Sequence, residues 1–102
     1  MIKIINGRKY STETAFAVAE RDNGLYPGDL YWYAEKLFRK RNGEFFLWCE
    51  GGAASCCAQQ CGSNHYCAGE RISPLTTQDA QAWVELHCDA SIYEALWGPV
   101  NE

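Results

Sequence analysis

The sequence predicts an α+β fold: one domain over residues 1–102, in which an antiparallel sheet built on a central β-hairpin at about residues 30–49 carries three to four packed helices. Three observations predict it. Two Asn-Gly pairs, Asn6-Gly7 and Asn42-Gly43, sit between short arms rich in apolar and aromatic residues, the pattern of a tight hairpin. The stretch "LTTQDAQAWVELHC" sets Thr76 and Asp79 three apart ahead of Ala80, Trp83, Val84 and His87 at helical spacing. The length of 102 residues with 47% hydrophobic residues suits one domain that folds on its own core without obligatory cross-links.

"KIINGRKY" reads as a hairpin, because a type I′ turn needs positive φ at both central positions and Asn-Gly tolerates that. A helix is expected next. Ser11 or Thr12 caps it, Glu13 sits in its first turn, Ala15, Phe16, Val18 and Ala19 form a buried stripe, and Asn23-Gly24 ends it. A loop with Pro27-Gly28 leads into "DLYWYAEKLFRKRNGEFFLWCEG", the central hairpin. With a two-residue turn at Asn42-Gly43, Arg41 faces Glu44, Phe38 faces Leu47, Leu37 faces Trp48 and Lys36 faces Cys49. Phe38, Phe45 and Leu47 then share one face, and Leu37, Phe46 and Trp48 the other, so the hairpin is expected at the sheet's centre. Ala53 to Cys61 is expected as a short helix ended by Gly62, followed by a loop. "RISPL" is a strand, with Pro74 placing it near an edge or a strand end. The helix from Thr76 follows, then a last short helix, Ala90 to Leu96, capped by Asp89 and closed by Gly98.

Five of the six cysteines and one of the two histidines fall in "CEGGAASCCAQQCGSNHYC". On a helix Cys57 and Cys61 share a face, and His65 and Cys67 can fold back over its end, so Cys57, Cys61, His65 and Cys67 are a candidate zinc set. No CxxC pair supports it. The same residues also read as small buried thiols in a close-packed helix, or as disulfide or redox cysteines. Zinc is therefore a candidate cofactor but not a required one. His87, on an apolar helical stripe, reads as a core histidine rather than a catalytic base.

The sequence holds no HExxH, GxSxG, GxGxxG or P-loop, and its carboxylates form no evident catalytic pair, so the expectation is a protein that is not an enzyme. No apolar run reaches the ~20 residues that span a bilayer, and the start "MIKIINGRKY" lacks the apolar stretch of a secretory signal. These point to a cytoplasmic protein with reduced thiols and no membrane partner. Net charge is −4 and unevenly spread: from Ile72 onward there are five acids and no base. Asp79, Glu85, Asp89, Glu94 and Tyr93 are therefore candidate partner-binding residues for a basic surface, with Tyr31, Tyr33 and Trp97 as further aromatic anchors. "GRKYS" and "RKRNGE" are the basic spots. Arg39, Lys40 and Arg41 at the hairpin tip admit an accessory role on nucleic acid, but an acidic chain is poorly steered toward phosphate, so direct nucleic-acid binding is not expected.

Three segments, "INGRKYSTETA", "RNGEFFLWCEGGA" and "GERISPLTTQDAQAWVE", resemble in order and separation a group of small proteins encoded on bacterial prophages and other mobile elements, some of which act as anti-CRISPR proteins. The resemblance covers about residues 4–88. It implies a monomer or homodimer in the host bacterial cell that inhibits a CRISPR effector protein or complex by contact, blocking nucleic-acid loading or cleavage. It carries no catalytic residues. It departs at Cys56, Cys57, His65 and Cys67, where similar sequences more often hold other residues, so it does not imply zinc.

Overall fold

A computed structural model describes residues 1–102. The chain runs β1 (Ile2–Ile5), β2 (Arg8–Ser11), β3 (Phe16–Asp22), β4 (Tyr33–Arg39), β5 (Phe45–Gly51), β6 (Gln59–Gly62), β7 (His65–Cys67), β8 (Gly69–Leu75), α1 (Thr77–His87) and α2 (Ala90–Trp97). The strands form three sheets: a four-stranded antiparallel sheet in the order β3-β4-β5-β8 and two separate hairpins, β1-β2 and β6-β7. This corrects the expected architecture. There are two helices, not three or four, and strand outweighs helix.

Of the two lost helices, one is a strand and the other a turn that leads into a strand. The segment expected as the first helix holds β3, which pairs along β4 and sets Glu20 opposite Lys36 and Arg21 opposite Glu35. Both pairs are ion pairs, Lys36 Nζ to Glu20 at 3.4 Å and Arg21 to the buried Glu35. A bulge at Val18 lets both Val18 and Ala19 pack on the core. Cross-strand charge matching and burial outweigh the helix preference of the Ala- and Glu-rich run. The stretch Ala53 to Cys61 is turn followed by β6, and the expected loop beyond it is the returning strand β7, with Asn64 at φ 61 in the turn.

The central hairpin forms in a register one residue away from the expected one. Leu37 pairs with Leu47, Phe38 with Phe46 and Arg39 with Phe45. The turn is the cause. Lys40 and Glu44 close it, through a Lys40 N–H to Glu44 carbonyl bond of 2.7 Å, leaving a three-residue loop with Gly43 alone at positive φ (92°). Asn42 stays at negative φ and its Oδ1 accepts the Glu44 N–H at 3.0 Å. By contrast Asn6 (51°) and Gly7 (77°) are both left-handed, as a type I′ turn requires.

This register assigns the two faces of the sheet. Leu37 and Phe45 meet Ala80, Trp83 and Val84 of α1, with Leu96 and Trp97 of α2 alongside. Phe38 and Phe46 face the other way and meet Tyr10 of β2 and Ile72 of β8. Phe38 stacks on Phe46 at 5.1 Å, and Tyr10 meets Phe46 edge-on at 5.5 Å. The helices thus cover one face and the β1-β2 hairpin covers the other.

The β3–β4 loop is fastened to the chain after β5. Gly52 N–H donates to the Trp32 carbonyl (2.8 Å) and Ala54 N–H to the Leu30 carbonyl (2.8 Å). A Cβ on Gly52 would overlap the carbonyl oxygens of Asp29 and Leu30. Gly52→Ala is therefore expected to destabilise the fold by roughly 1–3 kcal/mol and to shift amide resonances in residues 29–32; urea denaturation and a two-dimensional amide spectrum check both.

Candidate functional site

The two helices are joined by Cys88 and Asp89 alone. Thr76 Oγ1 accepts the Asp79 N–H at 3.0 Å and fixes the start of α1, as the sequence predicts. Cys88 N–H donates to the Val84 carbonyl at 2.9 Å and ends it. At the far end of α2, Gly98 turns at φ 90° with its N–H on the Glu94 carbonyl (2.8 Å), and Val100 N–H donates to the Glu94 carboxylate at 3.3 Å. The chain after α2 therefore folds back, and Val100 joins the two helices in lining an open groove of about 380 Å³.

Val84, Cys88, Ala90, Tyr93 and Val100 give this groove an apolar lining, and Glu85, Asp89 and Glu94 supply its charge. Tyr93 is held against Trp97 (4.9 Å), which lies on Phe45 of the sheet (5.5 Å), so one wall of the groove is anchored to the core. Burial and the neighbouring Asp89 carboxylate raise the Cys88 thiol above its ordinary pKa, which keeps it protonated and weakly reactive. The structure brings four of the five sequence-predicted binding residues, Glu85, Asp89, Tyr93 and Glu94, into one recess. Asp79 stays outside it, in the first turn of α1.

The other aromatic candidates part company. Trp97 is half-buried in the core. Tyr33 begins β4 half-buried, and burial followed by the adjacent Glu35 carboxylate pushes its phenol well above the usual range. Tyr31 is 65% exposed, on the β3–β4 loop beside Tyr26 at 86% and Leu30 at 60%. Sequence reasoning missed Tyr26 and Leu30; their place beside Pro27-Gly28, in a loop rather than an element, was the available signal.

The candidate zinc ligands do not converge. Cys57 pairs with Cys49 of β5 (Cα–Cα 6.7 Å) and Cys61 pairs with Cys67 across the β6-β7 hairpin (Cα–Cα 6.0 Å). His65 lies exposed on that hairpin, and no three His, Cys, Asp or Glu side chains are gathered at metal-holding distance. A sulfur bonded to another sulfur is not a thiolate ligand. The disulfide alternative is therefore the one this arrangement matches, with Cys56 exposed and Cys88 half-buried as free thiols. After native purification in air, two thiols are expected to react with a thiol reagent, Cys56 fast and Cys88 slowly, and six after reduction in denaturant. Six reactive thiols in denaturant without any reductant, together with one zinc bound to the native protein, would reinstate the metal set.

His87 is exposed rather than a core residue, its ring 5.1 Å from Trp83. Its pKa lies below the ordinary 6.5, first through the partial desolvation of this largely exposed ring and second through the Arg21 guanidinium, with Glu35 opposing. The unfolded chain thus takes up a proton at His87 more readily than the folded one. The corresponding stability is present above about pH 6.5 and is lost as pH falls through the folded value. In Arg21→Gln, the His87 midpoint is expected to move up, because repulsion is removed and Glu35 is freed at once; a proton NMR titration of the imidazole reads this, and an unmoved midpoint contradicts it.

At the basic tip, Lys40 is committed: its Nζ bonds Glu44 at 3.2 Å and sits 3.9 Å from the centre of the Tyr10 ring. Arg39 lies over Phe45 at 5.3 Å. No helix is long and apolar enough to cross a membrane. No family model, curated protein or solved structure matches the chain.

Proposed function

We propose that the chain is a non-enzymatic binding protein that docks its acidic groove onto a basic protein surface, and that the partner is a bacterial CRISPR effector whose nucleic-acid loading or cleavage it blocks. The observation that carries the binding role is the groove between α1 and α2, where Glu85, Asp89 and Glu94 accompany an apolar lining in which Tyr93 packs against Trp97. An arginine or lysine of the partner fits this chemistry, its aliphatic stem on Val84 and Tyr93 and its charge among the carboxylates. The choice of a CRISPR effector rests on the sequence resemblance, and it places the chain in the bacterial cytoplasm.

The two cysteine pairs favour a second reading: a disulfide-tied binding domain of an oxidising compartment, using the same groove on a different basic partner. Alkylating thiols directly in the producing cells separates the two. Reduced Cys49, Cys57, Cys61 and Cys67 fit the cytoplasm, and bonded ones fit the alternative.

Purified chain is expected to form a complex with a CRISPR effector ribonucleoprotein at micromolar concentration in low salt. Glu85→Lys combined with Asp89→Lys is expected to weaken it at least about tenfold, read by surface plasmon resonance. Binding that ignores the double reversal removes the groove from the interface, and no complex across effectors of the known types removes the CRISPR partner.

A further inference from the structure

The basic segments at Arg8–Lys9 and Lys40–Arg41 lie far apart in sequence, yet they meet. Tyr10 packs on Phe46 and beneath the Lys40 ammonium, and this brings Lys9 to the turn of the β4–β5 hairpin. The result is a cavity of about 300 Å³ lined by Lys9, Ser11, Thr14, Lys40, Arg41 and Asn42, with Ala15 its one apolar residue. In a chain of net charge −4, this is a local excess of positive charge.

Neither Glu13 nor Glu44 is among the cavity's lining residues, and the Glu44 carboxylate at the hairpin turn is already committed. Glu44 accepts from Asn42 Nδ2 (2.7 Å) and Lys40 Nζ (3.2 Å) and pairs with Arg8. Lys9 and Arg41 form no ion pair. Ser11 is 4% exposed, and its Oγ accepts the Glu13 N–H at 3.2 Å but donates to nothing, so a buried hydroxyl proton is left over. An ammonium, a guanidinium and two hydroxyls around one polar recess are a donor set lacking an acceptor.

We propose that this cavity binds a phosphate-type oxyanion, with Lys9 and Arg41 supplying charge and Ser11 and Thr14 supplying hydroxyl donors. A tetrahedral dianion accepts several charge-assisted hydrogen bonds at once, and the guanidinium of Arg41 meets two of its oxygens side by side. The site is separate from the acidic groove and does not depend on the partner proposed there.

The test is a titration of the full chain, in a buffer free of phosphate at pH 7.5, with sodium phosphate and with sodium chloride at matched ionic strength, followed by two-dimensional amide NMR. Saturable shifts confined to the amides of residues 9–15 and 40–44, with phosphate alone, are expected. Lys9→Gln with Arg41→Gln is expected to weaken binding at least about tenfold without altering the rest of the spectrum, since both side chains are exposed. Lys40 is left in place because it packs on Tyr10. A second arm compares AMP with adenosine. AMP binding near the phosphate affinity points to the free ion, and tenfold tighter binding points to a nucleotide phosphate; either supports the oxyanion site. Equal shifts with chloride, undiminished affinity in the double variant, or adenosine binding as well as AMP would each overturn it.

Discussion

The register of the β4–β5 hairpin is the constraint on which everything else rests. Because side chains alternate along a strand, moving one arm by a single residue sends its apolar set to the opposite face. The three-residue loop closed by Lys40 and Glu44, with Gly43 left-handed, places Leu37 beside Phe45 and Phe38 beside Phe46. The first pair is where the helices dock, and the second is where the β1-β2 hairpin docks. The acidic groove stands on Trp97 against Phe45, and the basic cavity on Tyr10 against Phe46. Two neighbouring phenylalanines therefore anchor the two candidate sites on opposite sides of one sheet.

Away from those faces the chain has little to hold it. Fifteen of 102 residues are buried, and residues 59–68 are exposed throughout. The segment between β5 and β8 is fastened by other means: Cys49 with Cys57, Cys61 with Cys67, and the close backbone approach at Gly52. Both cysteine pairs close short loops, with sequence separations of 8 and 6, so chain-entropy reasoning gives each about 2–3 kcal/mol. These bridges offset part of the entropy of ordering a hairpin that has no hydrophobic face of its own. They do not substitute for the sheet core, whose burial of Leu37, Phe46 and Val84 is independent of the sulfurs.

The sequence was legible where a signal is local. Thr76 and Asp79 announce α1, Gly98 announces the end of α2, and Asn6-Gly7 announces a turn with two positive φ angles, because each of these acts within a few residues. Glu85 and Asp89 reach the same groove as Tyr93 and Glu94 because a helix and a short connection carry the spacing. Legibility failed where the decisive partner is distant. The run that became β3 has helix-forming alanines and glutamate, and only the charges of β4 opposite it reveal a strand. Asn42-Gly43 signals a turn but not its length, and that one residue decided both faces. Cysteine pairing is likewise a property of the folded chain: Cys57 to Cys61 matches a helical turn, yet each bonds elsewhere.

The charge distribution follows the same division. The acids beyond Ile72 lie on the helices and their return, and Lys9, Lys40 and Arg41 lie at the hairpin side. At a distance a partner meets net charge −4, so long-range attraction favours a basic protein. The basic cavity acts only within about one Debye length, roughly 8 Å at physiological salt. Its ligand must therefore be small enough to arrive by ordinary diffusion against the mean field, or be carried there by something already held at the groove. A compact oxyanion meets the first condition. An extended polyanion does not, because every one of its phosphates meets the mean field of a chain of net charge −4 while the cavity offers donors to only one, and this argues that the cavity recognises one phosphate group rather than a nucleic-acid backbone.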